Sequence, residues 1–206
     1  MAIFSSFADE IDPDPRIQVQ HLQTNGIGYV DLRGAWDTNV MKLSNAQCAD
    51  LRTIFADGGI GVACIGSPIG KVTVDSDLDA HFDQFKHAVD LTETFDCRYI
   101  RIFSYYPPRG GDINDHRAVV LERLHQMCNH VAGSEIVLVL ENEADIYGDA
   151  PANCLDLMKN LAEHQTNLTM AFDPANFVVK NHLPVYETCW TRSEERRVGK
   201  ECRSRW

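Results

Sequence analysis

Apolar residues fall along this chain in two alternating rhythms. Short dense runs recur at Ala2–Phe7 (AIFSSF), Gly28–Leu32 (GYVDL), Gly61–Ile65 (GVACI), Tyr99–Phe103 (YIRIF), Ile136–Leu140 (IVLVL) and Leu168–Phe172 (LTMAF). Their length and content predict buried strands. Between them the spacing turns helical. Ile17, Val19 and Leu22 follow Asp12-Pro13 and close at Asn25-Gly26, a helix stop. Ser44 with Gln47 makes a capping box opening a helix that ends at Gly58-Gly59. Leu78, Phe82, Phe85, Val89 and Leu91 line a third helix, and Val119, Leu121, Leu124 and Met127 a fourth. Leu155, Met158 and Leu161 line a fifth, after Pro151 in its first turn.

Strand starts are thus separated by roughly 25 to 38 residues, with one helix in each gap. Parallel strands need crossovers of that size, whereas antiparallel hairpins need far less. The predicted class is α/β with a parallel sheet, six βα strands deep. An open doubly wound sheet and a (β/α)₈ barrel both satisfy it. No GxGxxG follows the first strand, which weakens the dinucleotide-binding version of the open sheet.

Polar residues gather just past each apolar run. In order they are Asp9-Glu10; Asp31 and Arg33; Ser67 and Lys71; Arg101 leading to Ser104-Tyr105-Tyr106; Glu141 and Glu143; and Asp173 with Asn176. In a barrel these strand ends converge on one mouth, where active sites of that fold lie. Gly66-Ser-Pro-Ile-Gly-Lys71 imitates a phosphate loop, but has three residues between its glycines where that motif needs four. An Arg inside the apolar YIRIF run must meet either a carboxylate or an anionic substrate.

The six segments FADEI, YVDLRGAW, IGSPIGK, YIRIFS, LENE with IYGD, and FDPANF stand in an order and spacing that resemble the sugar phosphate isomerase/epimerase family of xylose-isomerase-like barrels, over residues 1–190. The resemblance implies a (β/α)₈ barrel, of which about six of eight βα units are present. It also implies a divalent cation (manganese, zinc or magnesium) held by Glu and Asp at strands five and six and by His and Glu at strands seven and eight. The first two match Glu141 and Asp173. Glu141 would be both ligand and acid/base, moving a proton on a sugar, sugar phosphate or related polyol. Arg33, Lys71, Arg101, Glu143 and Asn176 are the candidate substrate contacts, with plain surface charge the alternative for Arg33 and Lys71. Glu143 and Asn176 stand where many relatives carry His, which leaves a solvated acid and a simple hydrogen-bonding amide as their alternatives. A homo-oligomer is compatible with the family.

Composition narrows the partners. A net charge of −11 over 206 residues argues against a nucleic-acid backbone. An apurinic-endonuclease-like reading would need several strand-end histidines. Instead His21, His81, His87, His125, His130 and His164 fall in helical segments, His116 precedes one, and His182 matches no family ligand. Solvated helix faces are the expectation for most of them. No apolar run approaches the roughly 18 residues of a membrane span, and no basic stretch precedes an apolar segment at the N-terminus. The seven cysteines form no CxxC pair and read as reduced, mostly buried thiols of a cytoplasmic protein.

The charge is uneven. Residues 192–206 carry a net of +3 and the preceding 191 a net of −14. The family continues past PVYETCW into strand seven, whereas this chain switches to TRSEERRVGKECRSRW. That segment resembles a tail found where reading frames run into vector or adaptor DNA. The expectation is a partial barrel over 1–190, a disordered non-homologous tail over 191–206, and hence a poorly soluble, catalytically incomplete chain. A natural basic tail for an anionic partner is the alternative.

Overall fold

The computed structural model describes residues 3–180 and the backbone of residues 193–196. It divides into two units, residues 1–67 with 83–100 and residues 68–82 with 101–206. The first unit holds strands β1 (Ser5–Ser6), β2 (Tyr29–Leu32), β5 (Gly61–Ile65) and the start of β6 (Tyr99–Ile102), paired in parallel in that order. A two-stranded antiparallel turn, β3 (Gly34–Ala35) with β4 (Thr38–Asn39), follows β2. Helices α1 (Pro15–Thr24) and α2 (Asn45–Asp57) are the crossovers of this unit. Val19, Leu22, Val30, Leu32, Leu51, Phe55 and Ile65 are among its buried core residues.

Local chemistry explains these limits. Asp14 caps α1 by accepting from the Arg16 N–H, with Pro15 at the first helical position. Asn25 ends the helix and Gly26 takes φ +66, a left-handed turn that glycine adopts without strain. Both halves of the Ser44–Gln47 capping box are present. The first strand is shorter than expected, two residues rather than Ala2–Phe7, and Ile3 and Phe4 are exposed. Two helical apolar positions also face outward: Ile17 and Val119 are exposed, while Gln18 and Val120 are buried beside them.

The second unit holds β7 (Val137–Glu141) and β8 (Leu168–Phe172), in which every residue is buried, as parallel sheets covered on both faces require. Their register sets Leu138 against Leu168 and Glu141 against Ala171. Helices α4 (Arg117–Val131), α5 (Pro151–Asn160) and α6 (Pro174–Val179) complete this unit, and α3 (Leu78–Phe95) begins in it and ends in the other. On α5 the buried positions are Cys154 and Leu157, one residue out of phase with the expected Leu155 and Met158.

Of the basic segment, Ser193–Arg196 forms a strand, β9, parallel to β8, with Met170 against Ser193 and Phe172 against Arg196. The exposed edge of β8 offers N–H and C=O groups to any neighbouring backbone. The rest of the segment, and His182 with it, lies outside the described residues. Cys48, Cys64, Cys128 and Cys154 are buried thiols, as expected. No helix among the described residues is long and apolar enough to cross a membrane.

Candidate active site

Glu141 is the last residue of β7, and the strand that buries its neighbours buries it too, at 1% exposure. Asp173 follows β8 by one residue and is wholly buried. Because Glu141 pairs with Ala171, the two carboxylates stand at the same, C-terminal, end of neighbouring parallel strands. Asp173 also caps α6, its Oδ1 accepting from the N–H groups of Ala175 (2.9 Å) and Asn176 (3.4 Å).

Between them sits a residue that sequence reasoning passed over. Asn142, 1% exposed, accepts the Asp173 N–H at 2.7 Å and donates its side-chain amide to the Asp173 carbonyl at 2.8 Å. Asn176 in turn donates its side-chain amide to the Asn142 carbonyl at 2.8 Å. The hint lay in LENE itself, where a polar residue follows directly on a fully buried strand.

Arg101 makes an internal ion pair. Its Nη1 lies 3.4 Å from Glu141 Oε2, both side chains are buried, and its guanidinium stacks over Phe103 at 5.0 Å. Lys71 pairs with Glu143 at 2.6 Å and also lies over the Phe103 ring, at 4.3 Å. The second unit therefore brings Lys71, Arg101, Glu141, Glu143, Asp173 and Asn176 together around the ends of β6, β7 and β8. Arg33 belongs to the first unit, where it meets Asp9 at 2.7 Å and Glu10 at 3.1 Å and stacks over Phe7.

The loop carrying Lys71 is held by main chain. The Phe103 N–H donates to the Ile69 carbonyl (2.8 Å), Tyr105 to Gly70 (3.0 Å) and Tyr106 to Val72 (2.9 Å). Gly70 has φ +87, and a Cβ there would sit 2.0 Å from the Phe103 carbonyl oxygen, so only glycine fits. Its N–H donates to His81 Nε2 at 3.0 Å. His81 is consequently no solvated helix residue: it is buried, and desolvation, followed by the nearby Arg123 charge, lowers its pKa to about 4. An Nε2 that accepts places the ring proton on Nδ1. Tyr105, with positive φ and 1% exposure, continues this loop, and burial raises its pKa.

A family model for the xylose isomerase-like TIM barrel matches residues 19–201. The chain belongs to that family. Its match runs past Trp190 into the basic segment, beyond the six motifs that first carried the resemblance. No curated protein matches the sequence. Among solved structures, a xylose isomerase-like TIM barrel protein from Mycobacterium smegmatis in complex with magnesium superposes with a TM-score of 0.74 at 18% identity, over 95% of this chain and 74% of that one. The probable 3-DHS dehydratase AsbF from Bacillus anthracis gives 0.72 at 16% identity, covering 95% and 72%. D-allulose 3-epimerase from Methylomonas sp. in complex with D-allulose gives 0.71 at 12%, covering 96% and 72%. At such identities the likeness is one of fold, a TIM barrel.

The xylose isomerase-like family implies a divalent cation, and the residues here fit one. Glu141 and Asp173 offer hard carboxylate oxygens from adjacent strand ends, the donor type such cations take. With Arg101 and Lys71 as the cations of the group and Glu141, Glu143 and Asp173 as its anions, a net negative charge remains for the ion to balance.

Proposed function

We propose that the family activity of this chain is isomerisation or epimerisation of a sugar, sugar phosphate or related polyol, dependent on a divalent cation. The observation that carries the reading is the burial of Glu141 and Asp173 at the same end of β7 and β8. Epimerase neighbours support it: one was solved with D-allulose and another, D-psicose 3-epimerase, in the presence of D-fructose. Glu141 and Asp173 would hold the ion, which when bound polarises a carbonyl and acidifies the C–H beside it.

The chain's own residues do the rest. Glu141 takes the proton and returns it to the adjacent carbon or the opposite face. Arg101 orients Glu141 through their 3.4 Å contact, and Asn142 fixes the backbone that presents Asp173. Lys71 and Glu143, the less buried pair, would meet substrate hydroxyl or phosphate oxygens. Burial of Glu141 keeps bulk water from competing for the transferred proton.

Solvent-proton incorporation is the direct test. Incubation of the metal-loaded protein with a ketose panel in deuterated water should place deuterium on the carbon beside the carbonyl. A protein that binds metal and sugar yet exchanges no proton would instead be a binding barrel. The described residues supply only two of the four ligands the family uses.

A further inference from the structure

Apart from the strand-end carboxylates, two histidines and a glutamate of the second unit meet. His125 lies on α4, and Glu163 and His164 form the short 3₁₀ turn that leads toward β8. His125 Nδ1 is 2.9 Å from His164 Nε2, and Glu163 Oε1 lies 3.4 Å and 3.5 Å from these two nitrogens. The rings meet edge to face with centroids 5.1 Å apart. Among the described residues this is the one group of three such side chains whose ligand atoms converge within 4.8 Å.

We propose that His125, Glu163 and His164 form a binding site for a borderline divalent cation of the zinc class. Zinc sits about 2.0–2.1 Å from imidazole nitrogen and carboxylate oxygen, so two ligand atoms of a tetrahedral site lie about 3.3–3.4 Å apart. The two edges to Glu163 match that face, and the nitrogen–nitrogen edge is shorter by a few tenths of an ångström, the span of a hydrogen bond. In the absence of an ion one of these nitrogens carries the proton that holds the pair together. A cation replaces that proton and lets both lone pairs and the carboxylate point at one centre.

The backbone is already set for this. His164 N–H donates to the Leu161 carbonyl, and Asn167 N–H to the His164 carbonyl at 2.8 Å. Asn167 then ties the turn to the segment entering β7 by donating to the carbonyls of Ser134 (3.1 Å) and Ile136 (2.7 Å). On the other side, Leu124 and Cys128 anchor the buried face of α4. Glu163 is 70% exposed and His125 half-buried, so an ion reaches the group from solvent and keeps room for water in the remaining position. Imidazole selects zinc, nickel or copper over magnesium, which sets this site apart from the oxygen donors at the strand ends. A cation here would clip α4 to the turn before β8, stabilising the fold by its affinity for the native state.

The test is a zinc titration of the 206-residue chain followed by the ring nitrogen signals of its histidines, with magnesium alongside. Zinc should move His125 Nδ1 and His164 Nε2 together at one equivalent, in the parent chain and equally in Glu141→Gln/Asp173→Asn, and magnesium should move neither. His125→Ala should abolish this binding. Glu163→Gln, an exposed change that leaves folding intact, should weaken it by at least about tenfold. Zinc that leaves both rings unmoved at saturation, or a titration unaltered by His125→Ala, would overturn the assignment and leave a plain histidine hydrogen bond.

Discussion

Asn142 grips Asp173 at both ends of one residue's backbone, accepting its N–H at 2.7 Å and donating to its carbonyl at 2.8 Å. Two strand ends separated by 31 residues are thereby locked in register. Removing that grip leaves two buried backbone groups without their partner. Asn142→Ala should cost about 2–4 kcal/mol in urea unfolding and weaken metal binding at the strand ends by moving Asp173. Loss of stability with unchanged metal affinity would show that the clamp does not position the carboxylate.

Glu141 and Glu143 sit two residues apart with different burdens. On the proposed reading, Glu141→Gln removes ligand and base together and should bring proton exchange close to zero. Glu143→Gln frees Lys71 and should lower the rate by about 10–100-fold. Measured deuterium incorporation separates the two, and equal losses would mean that the roles are wrongly divided.

His81 makes stability depend on pH. Its pKa in the fold, about 4, lies below the ordinary value of 6.5. Above pH 6.5 the ring is neutral in both states and contributes nothing to the pH dependence. As the pH falls from 6.5 to 4 the unfolded chain takes up a proton that the folded chain refuses, so stability drops by roughly 3 kcal/mol through this group. In parallel denaturation series at these two pH values, His81→Gln should lose less stability than the parent by about that amount. Identical slopes would show that His81 titrates normally.

Gly70 admits no side chain. Gly70→Ala would place a methyl group against the Phe103 carbonyl at positive φ, and should destabilise the chain by at least about 2 kcal/mol. Its melting temperature should fall clearly below that of Gly111→Ala, where a Cβ meets nothing closer than 3.4 Å.

Features governed by neighbours in sequence could be read directly. The Ser44–Gln47 box, the left-handed Gly26 and the fully buried β7 and β8 all declare themselves within a few residues. So did the strand-end placement of Glu141 and Asp173, because strand period and family motif agreed. Partners distant in sequence could not be read. Arg101 left a carboxylate and a substrate equally open until Glu141 was found beside it. His81 and Asn142 answer to backbone groups 11 and 31 residues away, and His125 meets His164 across 39. Helical periodicity marks which face a residue occupies, but a polar side chain at its edge turns inward whenever a backbone group there needs a partner.

The run of main-chain hydrogen bonds from Ile69 to Tyr106 has a historical consequence. Peptide groups are the same whatever side chains they carry, so a loop fixed by its own backbone keeps its path while its residues change. Side chains on that loop can then be exchanged without displacing the neighbouring strand ends where Glu141 and Asp173 stand.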